Sequence, residues 1–157
     1  WEYAARTGDI HAAVILAIDA DDHVLLVEQY RVPLGARTIE LPAGLVGDEG
    51  EAEAVEAAAT RELEEETGYR PAQVEAIGRF AASPGMTSES FTLVRATGLV
   101  RTGAGGGVEA EDIVVHRVPV AEITAFLDER RAAGLVLDAK LLVLLGAGLV
   151  GQPATPQ

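Results

Sequence analysis

Residues 47 to 69 read GDEGEAEAVEAAATRELEEETGY, and this stretch predicts a loop, an acidic helix and a helix stop. Gly47 and Gly50 mark a turn-rich approach. From about residue 52 to residue 67 there is no glycine or proline, and most of the residues are strong helix formers. Gly68 then falls where a helix C-cap glycine belongs. We therefore predict a helix over residues 52 to 67.

The predicted helix carries acids on its apolar face. At about 100° per residue, one side of the helix collects four apolar side chains that should pack on a core: Val55, Ala58, Ala59 and Leu63. Glu62 and Glu66 are four residues apart and point into the same sector. Glu53, Glu56 and Glu64 point away from it. An ordinary solvated Glu-rich helix would place every acid on the far side, and this remains the alternative interpretation.

Two carboxylates over an apolar stripe are costly to desolvate unless a partner neutralises them. A divalent cation is such a partner, and hard oxygen ligands suit Mg²⁺ or Mn²⁺. Glu65 and Arg61 flank the same sector, and Arg61 is placed to orient a carboxylate through a bidentate hydrogen bond. The pattern therefore favours a metal site at Glu62 and Glu66.

The complete spacing resembles the Nudix box. Gly47 is followed after five residues by Glu53 and after seven more by Arg61-Glu62-Leu63-x-Glu65-Glu66-x-Gly68-Tyr69. The resemblance implies a Nudix hydrolase, an α/β protein with the α/β/α sandwich and mixed β-sheet of that family. Gly44 follows Pro42-Ala43, as the box glycine usually does in relatives. Either Gly47 is the box glycine, or Gly44 is the box glycine and the loop after it is longer than usual. It therefore stays open whether Glu53 or Glu51 takes the place of the first glutamate of the box.

Composition limits the classes of partner. The 157 residues are enough for one domain with a real core, and we predict a single domain over residues 1–157, with 1–9 as a possible remnant of an N-terminal arm. The net charge of −13, with one lysine at Lys140, argues against nucleic acid. The chain has no cysteine, which fits a cytoplasmic protein, and no signal peptide or 18-residue apolar run, so no membrane partner is expected.

Hydrophobic patterns and turn residues predict the other elements. Strands 10–18 and 23–30 are expected to pair as a hairpin, and residues 98–110 are expected to form a flexible glycine-rich loop. Further strands are predicted over 37–41, 73–82, 90–97 and 113–118, and helices over 119–133 and 138–149.

Glu-Leu-Pro-Ala-Gly at 40–44 resembles the ADP-ribose and nucleotide-sugar branch of the family. The resemblance implies that the Ala43 carbonyl joins Glu62, Glu65 and Glu66 around the metal. It also implies that a glutamate from the late loop acts as a metal ligand or as the general base. Glu111 is the first candidate and Glu109 the second. Glu65 and Arg61 complete the expected catalytic set.

The same branch suggests which residues bind substrate. Glu-Gln-Tyr-Arg at 28–31 resembles the stretch that supplies an arginine to phosphate or ribose, here Arg31. The loop Ser-Pro-Gly-Met-Thr-Ser-Glu at 83–89 resembles a substrate loop, in which Ser83 and Glu89 would contact the diphosphate or the distal ribose.

The resemblance implies Mg²⁺-dependent (or Mn²⁺-dependent) hydrolysis of a nucleoside diphosphate-sugar, with ADP-ribose giving AMP and ribose 5-phosphate as the leading case. One alternative is GDP-mannose or another sugar nucleotide, because Gly-Gly-Gly-Val-Glu-x-Glu-Asp-Ile at 105–113 also resembles that subgroup. A second alternative is a non-catalytic module that senses a nucleotide sugar. Relatives in the branch are commonly homodimers with exchanged N-terminal strands, so a homodimer is expected.

Overall fold

The computed structural model describes residues 2–5, 11–47, 53–108 and 111–151, and for residues 147–151 it describes the backbone alone. Ten strands are present in this part of the chain. Their bounds are β1 His11–Ala17, β2 His23–Arg31, β3 Ala36–Glu40, β4 Ala43–Val46, β5 Tyr69–Arg70, β6 Gln73–Ala81, β7 Ser90–Thr97, β8 Val100–Arg101, β9 Val114–Pro119 and β10 Val136–Leu137. The α-helices are α1 Val55–Thr67, α2 Ile123–Ala132 and α3 Leu142–Gly151.

The strands form two four-stranded sheets and one short pair. The sheet orders are β4-β1-β7-β6 and β10-β3-β2-β9, with β5 paired to β8. β1 is parallel to β7, and β10 is parallel to β3, whereas the other neighbours are antiparallel. The predicted mixed β-structure of an α/β protein is therefore confirmed.

The predicted hairpin between β1 and β2 is wrong. The two strands belong to different sheets and stay paired only beside their turn, where Ile18 bridges Val24. The physical reason is that both edges of β1 are occupied by β4 and β7, and both edges of β2 by β3 and β9. Strands that are neighbours in the sequence therefore separate into two layers.

Two buried clusters hold helices against the sheets. The apolar face of α1 is buried as predicted, with Ala58, Ala59 and Leu63 fully buried against residues of β1 and β7 such as Ile15 and Val94. The second cluster joins the sheets to α2 and the start of α3. Its members include Val14, Leu26, Ile39, Leu41, Leu93, Leu127 and Leu141.

The ends of α1 are set locally. Ala54 is its N-cap, so the helix begins at Val55, and residues 48–52 lie outside the described part of the chain. Gly68 has a φ of 74°, and its amide donates to Glu64 O, which confirms the predicted stop.

The C-terminal helices start later than predicted. A 3₁₀ turn over Val120–Glu122 precedes α2, and another over Ala139–Leu141 precedes α3, with Asp138 capping the second turn. Among the described residues, each helix falls short of the length and apolar character that a bilayer crossing would need.

Candidate functional site

Glu66, in the last turn of α1, is the buried acid at the centre of the site. It is only 5% exposed, and its Oε2 accepts a hydrogen bond of 3.1 Å from the Ala43 amide. Burial, aided by the charges of Glu62 and Glu111, raises the pKa of Glu66 to about 8, although the Ala43 hydrogen bond and Arg31 act in the opposite direction. The positive charge of Arg31 therefore compensates only part of the cost of burying this carboxylate beside two others.

Ala43 turns its peptide groups toward Glu66 because of its register in the sheet. Ala43 lies opposite Val14 of β1, and Ile15 N donates to Pro42 O at 2.8 Å. In an antiparallel ladder, residue pairs that exchange hydrogen bonds alternate with pairs that do not. Because Ile15 and Pro42 are hydrogen-bonded, the next pair, Val14 and Ala43, is not. Both its amide and its carbonyl therefore face away from β1, and the amide reaches Glu66.

Gly44 leaves room for Glu62. A Cβ built on Gly44 would lie 1.9 Å from Glu62 Cδ and 2.2 Å from Glu62 Oε1, so the missing side chain admits the carboxylate. Gly47 serves a different purpose, since its φ is +84° and a Cβ there would meet no atom within 4 Å. The first glycine is required by close approach and the second by backbone conformation.

Arg61 lies among three acids of the same helix region. Its Nη1 is 2.9 Å from Glu62 Oε1 and 3.4 Å from Glu65 Oε2, and its Nη2 is 3.5 Å from Glu53 Oε2. These contacts are spread over three acids, whereas the prediction was a bidentate hydrogen bond to one carboxylate. An open groove of about 570 Å³ runs beside Arg61 and Glu65 on the outer side of α1.

The donor set fits a divalent cation in chemistry. Within the described ranges, no three Asp, Glu or His side chains are already arranged as a ligand cluster. Even so, Glu66 feels the charges of both Glu62 and Glu111 while buried, and carboxylate oxygens are the ligands that Mg²⁺ prefers. The acids therefore have the chemistry that a divalent cation requires, while Glu62 and Glu65 contact Arg61 in this structure.

The glycine-rich segment is anchored on α1 instead of being a free loop. Gly106 N donates to Glu66 O at 2.8 Å, and Gly107 N donates to Glu65 O at 3.0 Å. A Cβ on Gly105 would lie 2.4 Å from Thr67 C, so only glycine fits this contact. The expectation of a flexible loop is therefore wrong for this segment, which caps the C-terminal end of α1.

Glu111 is bonded to the glycine-rich segment through Val108. Glu111 N donates to Val108 O at 3.0 Å, and Glu111 Oε2 accepts from Val108 N at 3.0 Å. The Glu111 charge helps to raise the pKa of Glu66, so the two acids are electrostatic neighbours. Glu109, the second candidate base, lies outside the described residues.

Arg31 is held by Glu40, a partner that the sequence pattern did not reveal. Arg31 Nε and Nη2 each donate to Glu40 at 2.7 Å, while the Arg31 side chain stays 42% exposed. Burial acts to raise the pKa of Glu40, but the hydrogen bonds from Arg31 and Thr38 outweigh it and lower that pKa. The available signal was an acid at the end of a short strand, Glu40 in Ala-Arg-Thr-Ile-Glu, which is almost fully buried.

Ser83 and Glu89 lie in the exposed loop between β6 and β7. Ser83 O accepts from Thr87 N at 2.9 Å, and Glu89 O accepts from Ala82 N at 3.1 Å. Within the described residues, the hydrogen bonds of this loop stay inside it or reach Ala4, and none joins it to Glu66. The hydrogen bonds of the described residues therefore do not connect Ser83 or Glu89 to Glu66.

Comparison with known proteins identifies the class. Residues 9–138 match the NUDIX domain, which covers most of the chain. The chain therefore belongs to the Nudix hydrolase family, as predicted. A solved structure titled "Crystal structure of ADP compounds hydrolase" superimposes with a TM-score of 0.69 at 28% identity, covering 96% of this chain and 78% of that one. This match confirms the Nudix form of the α/β fold.

Curated relatives of the chain carry several different names. It is 35% identical to the "Methanol dehydrogenase activator" of Bacillus methanolicus, covering 84% of this chain and 68% of that protein. It is 36% identical to the "ADP-sugar pyrophosphatase" of Mus musculus, covering 75% and 56%. It is 31% identical to the "GDP-mannose pyrophosphatase" of Pectobacterium atrosepticum, covering 88% and 72%. The chain thus spans between about half and three quarters of these relatives.

Proposed function

We propose that this chain hydrolyses the diphosphate bond of a nucleoside diphosphate-sugar with the help of Mg²⁺ or Mn²⁺, with ADP-ribose as the substrate. The observation that carries the proposal is the buried Glu66 carboxylate, 5% exposed, which feels the charges of Glu62 and Glu111. Such an arrangement is costly in the metal-free protein and becomes favourable when a cation binds. The relatives named for ADP-sugar and ADP-compound hydrolysis support the choice of substrate.

The proposed cation ligands are carboxylate oxygens from α1 and the late loop together with one carbonyl. They are Ala43, Glu62, Glu65, Glu66 and Glu111. A divalent cation held by these residues would neutralise the charge of the diphosphate and would lower the pKa of water. Arg61 contacts both Glu62 and Glu65. In the proposal, Arg61 holds these two carboxylates until they bind the cation.

In the proposed reaction, water attacks one phosphorus of the diphosphate and the bond to the bridging oxygen breaks. ADP-ribose and water thereby give AMP and ribose 5-phosphate. Glu111 takes the proton of the attacking water as general base, with Glu109 as the second candidate. Glu111 is favoured since its turn is anchored beside Glu66.

Arg31 is the proposed phosphate ligand of the chain. Glu40 fixes its guanidinium, part of which remains exposed, and its charge reaches Glu66. Ser83 and Glu89 are proposed to bind the distal part of the substrate. They lie in an exposed loop whose backbone is held by its own hydrogen bonds.

Product analysis tests the proposal. The protein would be incubated with ADP-ribose, GDP-mannose and a nucleoside triphosphate, each with Mg²⁺ and with a chelator. We expect AMP from ADP-ribose, abolished by the chelator and by Glu66→Gln. The matched control is Glu56→Gln, which removes an exposed acid from the same helix and should leave turnover unchanged. Full turnover by Glu66→Gln would overturn the proposed site.

GDP-mannose is the second candidate substrate, because the matched GDP-mannose pyrophosphatase is covered over 72% of its length. GMP from GDP-mannose alone would keep the site and change the substrate. A regulatory module is the third candidate, and a relative named as an activator of another enzyme supports it. Binding of a sugar nucleotide without turnover of any substrate would favour that reading.

A homodimer with exchanged N-terminal strands is also proposed. In the single chain, residues 2–5 lie along the loop between β6 and β7, with Ala4 N donating to Met86 O at 3.0 Å and Ser88 N donating to Ala4 O at 3.0 Å. Tyr3 beside this contact is 69% exposed. The N-terminal segment thus already pairs with the loop that carries Ser83 and Glu89. Light scattering that returns the mass of one chain would contradict the dimer.

A further inference from the structure

The side chain of Arg37, on β3, joins the sheet to the segment that carries Glu111. Its Nε donates to Glu28 Oε1 at 2.7 Å, and its Nη1 donates to Asp112 Oδ2 at 2.7 Å. Its Nη2 lies 3.3 Å from both the Glu28 carbonyl and the Asp112 carbonyl. One planar guanidinium therefore binds a side chain and a main-chain oxygen on each of two segments.

Glu28, the partner of Arg37 in the sheet, is held in place by residues of both neighbouring strands. Glu28 lies on β2 between β3 and β9, and its side chain is only 14% exposed. Its second oxygen, Oε2, is 3.0 Å from His116 Nε2 on β9. Glu28 is thus held from both neighbouring strands, and it presents Arg37 in a fixed direction. Asp112, in contrast, is 82% exposed and has weaker support of its own.

The opposite end of the same segment is anchored by backbone alone. Gly106 and Gly107 donate to carbonyls of α1, so side-chain changes leave that end intact. Glu111 lies between this anchor and Asp112, directly beside the residue that Arg37 grips. The Glu111 carboxylate accepts a hydrogen bond from Val108 N at 3.0 Å, and the main chain that follows Glu111 is held by Arg37 through the Asp112 carbonyl.

We infer that Arg37 is a positioning residue, which fixes the Asp112 backbone and thereby holds the adjacent Glu111 in its place on the segment. The inference rests on the proposed function in one respect, namely the role of Glu111 as general base. Removing Arg37 frees the C-terminal end of the turn without touching Glu62, Glu66 or Ala43. Folding is then retained, while the position of Glu111 is lost.

A matched pair of variants tests the inference. Arg37→Met removes the grip on Asp112. Arg117→Met is the control, because Arg117 on β9 also bridges two carboxylates, Asp19 at 2.6 Å and Asp21 at 2.9 Å, at the turn between β1 and β2. Both variants lose the same charge and the same number of acidic partners. They differ in whether the Glu111 segment is involved.

The first readout is amide hydrogen exchange in the free protein, which requires no activity. We expect exchange at the Glu111 amide, which donates to Val108 O, to become at least about tenfold faster in Arg37→Met and to stay unchanged in Arg117→Met. Unchanged protection in Arg37→Met would overturn the inference. Hydrogen exchange tests the role of Arg37 even if ADP-ribose proves not to be a substrate. A failure of the inference about Arg37 can therefore be distinguished from a failure of the proposed function.

The second readout is kcat on ADP-ribose in two backgrounds. Arg37→Met should lower kcat by roughly 10- to 100-fold, the usual cost of misplacing a reacting group, with little change in KM. In the Glu111→Gln background, Arg37→Met should cause no further loss, because the residue it positions is already disabled. Equal losses in both backgrounds would overturn the inference, since a purely structural role would produce that result.

Discussion

The Ala43 amide donates a 3.1 Å hydrogen bond to Glu66 Oε2, which joins the start of β4 to the last turn of α1. This bond connects two segments that are 23 residues apart in the sequence. It also sets the carbonyl of Ala43 on the same side as Glu66, because both peptide groups of an extended residue face one edge. The acidic helix and the Pro-Ala-Gly turn therefore form one site.

Glu66→Gln should stabilise the metal-free protein at neutral pH. Burial raises the pKa of Glu66 to about 8 from an ordinary value of 4.5, so the folded state binds a proton that the unfolded state releases between these pH values. The free energy of unfolding of the wild type therefore falls as pH rises from 4.5 to 8. Glutamine removes this loss, which is on the order of a few kcal/mol. Thermal melts from pH 4.5 to 9 with a chelator measure it.

Mg²⁺ should reverse the difference in stability between the wild type and Glu66→Gln. A cation requires the ionised carboxylate, so Mg²⁺ should raise the melting temperature of the wild type more at pH 8 than at pH 5. Glu66→Gln should show little response. An equal Mg²⁺ response in both proteins would contradict a cation site at Glu66.

Gly44→Ala should lower turnover while leaving stability nearly unchanged. The new Cβ would lie 1.9 Å from Glu62 Cδ, and the flexible side chain of Glu62 can swing away at little cost in folding energy. Its carboxylate then leaves the site, so we expect kcat to fall by roughly 10- to 100-fold. Gly78→Ala on β6 is the control, because a Cβ there meets only Phe80 at 3.7 Å. Normal kcat in Gly44→Ala would show that the position of Glu62 is unimportant.

Side-chain direction on one helix could be predicted from the sequence, because it follows from 100° per residue alone. The burial of Ala58, Ala59 and Leu63 and the placement of Glu66 follow from this angle, whereas the stop at Gly68 follows from the preference for glycine after the end of a helix. These features need no knowledge of other elements.

Features that depend on register between distant strands could not be predicted. The pairs Arg31–Glu40 and Arg37–Asp112 exist because β3 lies between β2 and β10 and because β9 borders β2. The hairpin between β1 and β2 was predicted wrongly for the same reason. These two strands pair with strands from elsewhere in the chain and not with each other. The capping role of the glycine segment likewise depends on contacts with the far end of α1.

Gly105→Ala should destabilise the protein. Gly105 has a φ of +69°, and a Cβ there would lie 2.4 Å from Thr67 C and 2.7 Å from Glu66 O, both in rigid backbone. The conformational strain and the clash together should lower the free energy of unfolding by on the order of 2 kcal/mol. Gly103→Ala is the control, because its Cβ would meet no atom within 4 Å. Urea unfolding curves measure the difference, and equal midpoints for the two variants would refute the proposed contact.

Glu40→Gln should raise the KM for ADP-ribose more than it changes kcat. Glu40 holds Arg31 by two hydrogen bonds of 2.7 Å, and the neutral amide accepts only one of them. Arg31 then loses its fixed direction at the site, so we expect KM to rise about tenfold and the free energy of unfolding to fall by about 1–3 kcal/mol. Glu129→Gln is the control, because it weakens an exposed pair with Arg130 on α2. Steady-state kinetics of the two variants measure the change in KM. An unchanged KM in Glu40→Gln would show that the fixed direction of Arg31 does not contribute to substrate binding.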